Sequence, residues 1–238
     1  MTDANNLPII PKTEKLAVDG ITIDCTIFGF NKGKLEVLLV QHAEGESIGK
    51  WGLPGGWLLK EESSDDSAKR ILYELTGLDN IYLEQLKAFT NPNRVPNKRV
   101  VTLGYYSLIK QDDYNVKASL VLTEIKWWNI HDIPNLIFDH NEILEFSLNH
   151  LRHKVRQAPI GFNLLPEKFT LLQLMHLYEE ILDVEMDKSN FRRKILHMKL
   201  LVALDEKQQD VSHRAAKLYQ FDPQIYSKLT QKGFNFEF

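Results

Sequence analysis

The sequence predicts an α+β protein of two domains: a mixed sheet with flanking helices, then a smaller unit in which two helices precede a strand pair. Three observations carry this expectation. Runs rich in Val, Ile, Thr and Phe alternate with helical stretches through residues 1–155. Periodicity stops at Gln157-Ala158-Pro159-Ile160-Gly161, where Pro and Gly punctuate the chain as in a linker. The C-terminal remainder is about 80 residues long, the size of a small domain. The expected division is therefore 1–155 and 156–238.

Residues 16–30 read as a strand, Asn31-Lys32-Gly33 as a turn and 35–40 as the hairpin partner. The Gly- and Pro-rich stretch 49–56 reads as a loop, and 65–76 as a helix stopped by Gly77. Further strands are expected at 83–89, 100–109 and 124–129, and a second helix over 141–155. In the C-terminal unit, Thr170 and Gln173 form a capping box, with Phe169 stapled to Leu174. Leu171, Leu174, Tyr178 and Ile181 make the apolar stripe of that helix. Asp187 caps the next, whose apolar side is Phe191, Ile195 and Met198. Residues 200–204, 205–213 and 214–219 read as strand, loop and strand.

Composition narrows the function. With 29 Lys+Arg against 32 Asp+Glu there is no global basic field, so a nucleic-acid site has to be a local patch. Cys25 stands alone, which excludes an intrachain disulfide and a cysteine zinc cluster and suits the cytoplasm. No apolar run approaches the roughly 20 residues that span a bilayer, and Met1 to Lys12 lacks a signal-peptide core. No membrane partner and no cofactor are expected.

Two motifs carry chemistry. Gly56-Trp57-Leu58-Leu59-Lys60-Glu61-Glu62 followed by Arg70-Ile71-Leu72-Tyr73-Glu74-Leu75-Thr76-Gly77-Leu78 resembles the Nudix box, with Gly56, Glu62, Arg70, Leu72, Glu74, Gly77 and Leu78 in register. The resemblance implies an αβα sandwich and diphosphate hydrolysis by Mg²⁺ held on glutamates of one helix face. Positions 71, 74 and 75 share that face, and here they are Ile71, Glu74 and Leu75. A hard dication needs several oxygen ligands, so no catalytic residue and no metal site are expected. Glu62, Asp65 and Asp66 are the nearby acids, and first-turn acids are commonly explained by the helix dipole. Arg70 and Glu74 are open to two readings, a bracing ion pair or effector contacts.

The second motif is the helix capped by Asp187. Rotation by about 100° per residue puts Ser189, Asn190, Arg193 and His197 opposite the apolar side, with Arg192 at the flank. Arg and Asn can read guanine and adenine in the major groove while Lys and Ser hold phosphates. The expected DNA contacts are Thr170, Lys188, Ser189, Asn190, Arg192 and Arg193, with Arg214 and Lys217 on the wing. The alternative is a solvated helix face. Residues 156–238 hold 12 Lys+Arg and 11 Asp+Glu, so nonspecific affinity for DNA should be modest.

The two halves together resemble the Nudix-related transcriptional regulators, which include NAD-metabolism repressors and regulators of pentose use. Pro159-Ile160-Gly161-Phe162-Asn163-Leu164-Leu165-Pro166, Asn190-Phe191-Arg192-Arg193 and Arg214-Ala215-Ala216-Lys217-Leu218-Tyr219 carry the resemblance, which looks closest to the arabinose-responsive branch. It implies a winged helix-turn-helix domain and a homodimer on a palindromic operator of double-stranded DNA. It further implies that a small effector, a pentose such as L-arabinose or an ADP-ribose-like nucleotide-sugar, controls DNA binding. Candidate effector contacts are Trp51, Trp57, Arg70, Glu74, Arg94 and Arg99. Most tryptophans are expected in the core, Asp139 with Glu142 is read as a capping box, and His150 and His153 as surface or dimer-contact groups. The competing functions are an active Nudix hydrolase and an adaptor whose winged helix binds protein.

Overall fold

The computed structural model describes residues 18–43, 45–209, 215–234 and 236–237. β1 (Gly20–Asn31) and β2 (Lys34–His42) form the expected hairpin, closed by Lys32 and Gly33 at φ 47° and 81°. Both central residues sit at positive φ, which matches the twist of the strands they join. β3 (Trp51–Gly52) falls inside the stretch that reads as a loop, and β4 (Gly55–Trp57) overlaps its end. Two or three residues are too few to show alternation; pairing with β2 and with the first half of β1 makes them strands.

α1 (Ser64–Thr76) begins at Ser63, whose hydroxyl accepts from the Asp66 N–H, and stops at Gly77 with φ 72°. β5 (Glu84–Phe89), β6 (Val100–Lys110), β7 (Leu122–Asn129) and α2 (His140–Gln157) lie where the sequence puts them. β1 runs parallel to β6 and antiparallel to β2 and β4, so the sheet is mixed. Alternation along β1 sends Ile23, Cys25 and Ile27 toward α1, where they pack with Ala68, Ile71 and Leu72. The opposite face turns Asp24, Thr26 and Phe28 toward α2, where Thr26 and Ser147 share a buried 2.9 Å hydrogen bond.

The stretch that reads as a linker is a short 3₁₀ turn, Ile160–Leu164, whose Phe162 and Leu164 are buried. The apolar cluster on the α2 side of the sheet continues through these residues into the C-terminal helices. There α3 (Leu171–Leu182) carries the expected capping box, and α4 (Lys188–His197) is capped by Asp187, which accepts from the Asn190 N–H. β8 (Leu201–Lys207) and β9 (Lys217–Phe221) are the wing strands. β8 extends three residues beyond the expected 200–204, because pairing of Lys207 with Lys217 past a bulge carries the ladder outward. α5 (Pro223–Gln231) has no counterpart among the expected elements. Its start signal, Asp222 as N-cap with Pro223 at the first helical position, is present in the sequence.

Candidate functional site

Two of the three positions on the α1 face that would carry a metal are apolar, and the third, Glu74, pairs with Arg70. Ile71 is 2% exposed and packs in the core beneath Gly56, where a Cβ would come within 3.2 Å of its Cγ1. Leu75 packs against the same cluster. The nearby acids are engaged elsewhere. Glu62 accepts from Arg70 and Ser67, which together hold its carboxyl below the ordinary range. Asp65 accepts from the Tyr105 hydroxyl and Asp66 belongs to the N-terminal cap. This donor set does not fit a hard dication.

Arg70 is fully committed, to Glu62 at 2.6 Å, to Glu74 at 3.0 Å and to the Trp57 carbonyl at 3.0 Å. It ties β4 to α1, and with exposed Glu74 it forms the bracing pair. Arg99 likewise donates to the Thr90 carbonyl at 3.1 Å. Trp51 packs edge-on to Trp128 with centroids 5.3 Å apart. Arg70 and Glu74 thus meet each other, and none of these four expected effector contacts lines the cavity that holds the other two.

Trp57 and Arg94 are brought together. They line a cavity of about 250 Å³ with Thr22, Asp24, His42, Lys98, Phe138 and His140. β1 supplies Asp24, the 91–99 loop supplies Arg94, and the start of α2 supplies His140. Arg94 is buried although it lies in a loop between strands. Its Nε and Nη2 donate to the two carboxylate oxygens of Asp139 at 2.9 and 2.7 Å, and Nη2 also reaches Asp24 at 3.1 Å. This corrects the capping-box expectation for Asp139: it occupies the N-cap position of α2, yet its side chain makes no cap bond. Two charge-assisted bonds from a buried guanidinium are stronger than one bond from a backbone N–H.

His140 completes the cluster. Its Nδ1 accepts from the Leu53 N–H at 2.9 Å, leaving Nε2 toward Asp24 Oδ1 at 3.6 Å. Burial pushes its pKa below 6.5 against the opposing pull of Asp24 and Asp139, and His42 is lowered by burial and by His140. With both histidines neutral, Asp24 and Asp139 stand against Arg94 and Lys98, so the charges around the cavity balance. At the mouth, Trp57 is 49% and Phe138 46% exposed. Trp57 lies over Gly20, where a Cβ would fall 2.6 Å from its ring. Nearby, His150 contacts Glu84 and the Tyr106 ring on the α2 surface.

On the C-terminal domain, Lys188, Arg192 and Lys217 line one groove of about 570 Å³ between α3, α4 and the wing, together with Lys207, which sequence reasoning misses. The sequence places Lys207 in a loop, whereas the longer β8 sets it opposite Lys217. Thr170 lies beneath this groove, 3% exposed, with its hydroxyl accepting from the Gln173 N–H. It positions α3 rather than offering a free donor. Ser189, Asn190 and Arg193 are exposed along α4, and Arg193 Nη2 donates to Asn190 Oδ1 at 3.0 Å. Arg214 lies outside the described residues.

Comparison with known proteins adds to this geometry. Residues 20–146 match the NUDIX domain and residues 161–221 the NrtR DNA-binding winged helix domain. The chain is 31% identical over 210 residues to the ADPR responsive transcriptional repressor NtrR of Acinetobacter baylyi, covering 87% of this chain and 83% of the relative. The structure of Shewanella oneidensis NrtR complexed with a 27mer DNA superposes with TM-score 0.71 at 29% identity, over 91% of this chain and 97% of that one. The Nudix domain of the same protein complexed with ADP ribose gives 0.55 at 31% identity, over 63% and 99%.

Proposed function

We propose, from the premise that this chain belongs to the NrtR-type family of Nudix-fused winged-helix transcriptional regulators, that it binds an operator through α4 and the wing and releases or grips it according to an effector in the Asp24–Arg94 cavity. The carrying observation is that one chain combines a metal face filled by Ile71 and Leu75 with an exposed helix offering Ser189, Asn190, Arg192 and Arg193. The first argues against diphosphate hydrolysis, and the second suits major-groove reading. A homodimer on a palindromic operator would double the phosphate contacts of a domain whose net charge is slight.

The cavity favours a neutral sugar as effector. About 250 Å³ lies below the ~300–1,000 Å³ of pockets for larger ligands and suits a single ring. The buried Asp24 carboxylate accepts hydroxyl donors, and the Trp57 face suits the apolar side of a pyranose. A diphosphate would find the buried Arg94 already held by two carboxylates. A pentose such as L-arabinose fits this chemistry. The second reading, ADP-ribose, is supported by the relatives that respond to it or bind it. Its ribose would enter the cavity and its diphosphate would lie outside.

Selection of bound duplexes from random DNA by the full chain, repeated with L-arabinose and with ADP-ribose, tests both parts. A symmetric site whose retention changes with one compound is expected. Turnover of ADP-ribose with Mg²⁺ and no retention of any duplex would overturn the regulator in favour of the hydrolase.

A further inference from the structure

A second cavity of about 650 Å³ adjoins the effector cavity and is lined by Lys50, Asn91, Asn93, Pro96 and Asn135. Three residues, Arg94, Ile137 and Phe138, line both. Two of the three are fixed. Arg94 is held by Asp24 and Asp139, while Ile137 is buried with its N–H on the Trp51 carbonyl at 2.9 Å. Phe138 is different. It is half exposed, no hydrogen bond of its side chain is possible, and its ring meets His140 edge-on at 5.9 Å. It also sits at φ 50°, a region bulky side chains rarely adopt. The backbone on either side is pinned by Ile137 and by Asp139, and that pinning holds an aromatic ring at the partition in spite of the strain.

We propose that Phe138 determines effector size: its side chain is the removable part of the wall between the two cavities, restricting the effector site to one ring while it stands. This rests on the reading of the Asp24–Arg94 cavity as the effector site. The adjoining cavity adds a second lysine ammonium, Lys50, and the side-chain amides of Asn91 and Asn93, suited to phosphate oxygens, while the Asp139 carboxylate on its lining is occupied by Arg94. With the ring gone, a nucleoside diphosphate sugar could place its terminal ring beside Asp24 and its diphosphate beside Lys50. The free sugar would keep Trp57 and lose the second aromatic face at the mouth.

The test is titration calorimetry of L-arabinose and ADP-ribose into the full chain, as wild type, Phe138→Ala and Phe138→Asn. Asparagine tolerates positive φ, so it removes the ring without adding strain and guards against misfolding of the alanine variant. The ratio of the pentose association constant to that of ADP-ribose should fall threefold or more in both variants. A fall of less than threefold, or parallel loss of both affinities, overturns Phe138 as the size determinant. If wild type binds neither compound, the effector reading itself fails and takes this inference with it; a wild type that binds, with variants of unchanged ratio, sinks the inference alone.

Discussion

Asn91-Pro92-Asn93 introduces Arg94 in a segment whose composition marks a surface loop, and the side chain nevertheless ends between two carboxylates inside the protein. No local pattern could announce this, because Asp24 and Asp139 come from a strand and a helix start far away in the chain. Removing the guanidinium would leave both carboxylates buried and uncompensated. Arg94→Ala is therefore expected to lower the unfolding free energy by about 3–5 kcal/mol and to abolish effector binding, checked by urea denaturation and calorimetry. Arg94→Lys should recover only part of the stability, since an ammonium cannot fork across Asp139. His140 adds a pH dependence whose sign is set by its lowered pKa. Below about pH 6.5 the unfolded chain takes up a proton that the folded chain refuses, because burial penalises the charged ring. Stability is thus fully present above about pH 6.5 and lost as pH falls, by up to about 1.4 kcal/mol per pH unit for each such histidine. Denaturation midpoints from about pH 7.5 to 5.5 should trace this loss, and His140→Gln should flatten it.

Elements with their own boundary signals are legible in the sequence, and those defined only by distant partners are not. Gly77 ends α1, the Lys32-Gly33 turn fixes the hairpin, and Thr170 and Asp187 start α3 and α4 through bonds to residues three positions on. β3 and β4 have no such signal. α5 is an intermediate case: Asp222-Pro223 marks its start, but no residue of the helix is fully buried, so no stripe continues from the cap. At the DNA-binding face the helix is legible and the extent of the wing is not, because a bulge cannot be read from the residues that precede it. Two predictions belong at this scale. Asp187→Ala should cost about 1 kcal/mol of stability by leaving the α4 N-terminus uncapped, with weaker DNA binding as its consequence. Arg193→Ala, which leaves the cap intact, should instead cost about 1–3 kcal/mol of sequence-specific affinity while nonspecific retention changes little. Gel retardation with operator and scrambled duplexes separates the two, and an unchanged operator affinity in Arg193→Ala would favour the protein-binding adaptor.

At the scale of the whole molecule, the proposed effector cavity and the proposed DNA-binding face are joined through two grips on the end of α3. β1 carries Asp24 in the cavity wall and turns into β2, where the Leu35 N–H donates to Glu180 at 3.0 Å and Lys34 lies 3.7 Å from the same carboxylate. α2 begins at the Arg94 cluster, and about 18 Å along its axis Arg152 donates to the Ile181 carbonyl at 3.0 Å and to Asp183 at 3.3 Å. The opposite end of α3, capped by Thr170, forms the groove of Lys188, Arg192, Lys207 and Lys217. An effector that separates Arg94 from Asp24 or Asp139 would shift one of these walls against the other and strain both grips, whereas one that fits without disturbing them has no lever on α3. Coupling between sites is reciprocal, so it is measured as the factor by which operator DNA changes effector affinity. In wild type that factor should lie in the usual range of about 5- to 150-fold. In Glu180→Ala and Arg152→Ala it should collapse toward one, with effector affinity in the absence of DNA unchanged within about twofold, since neither residue lines the cavity. A factor that survives the double variant would show that the signal reaches DNA by another route, such as the spacing of two protomers, and would remove α3 from the path.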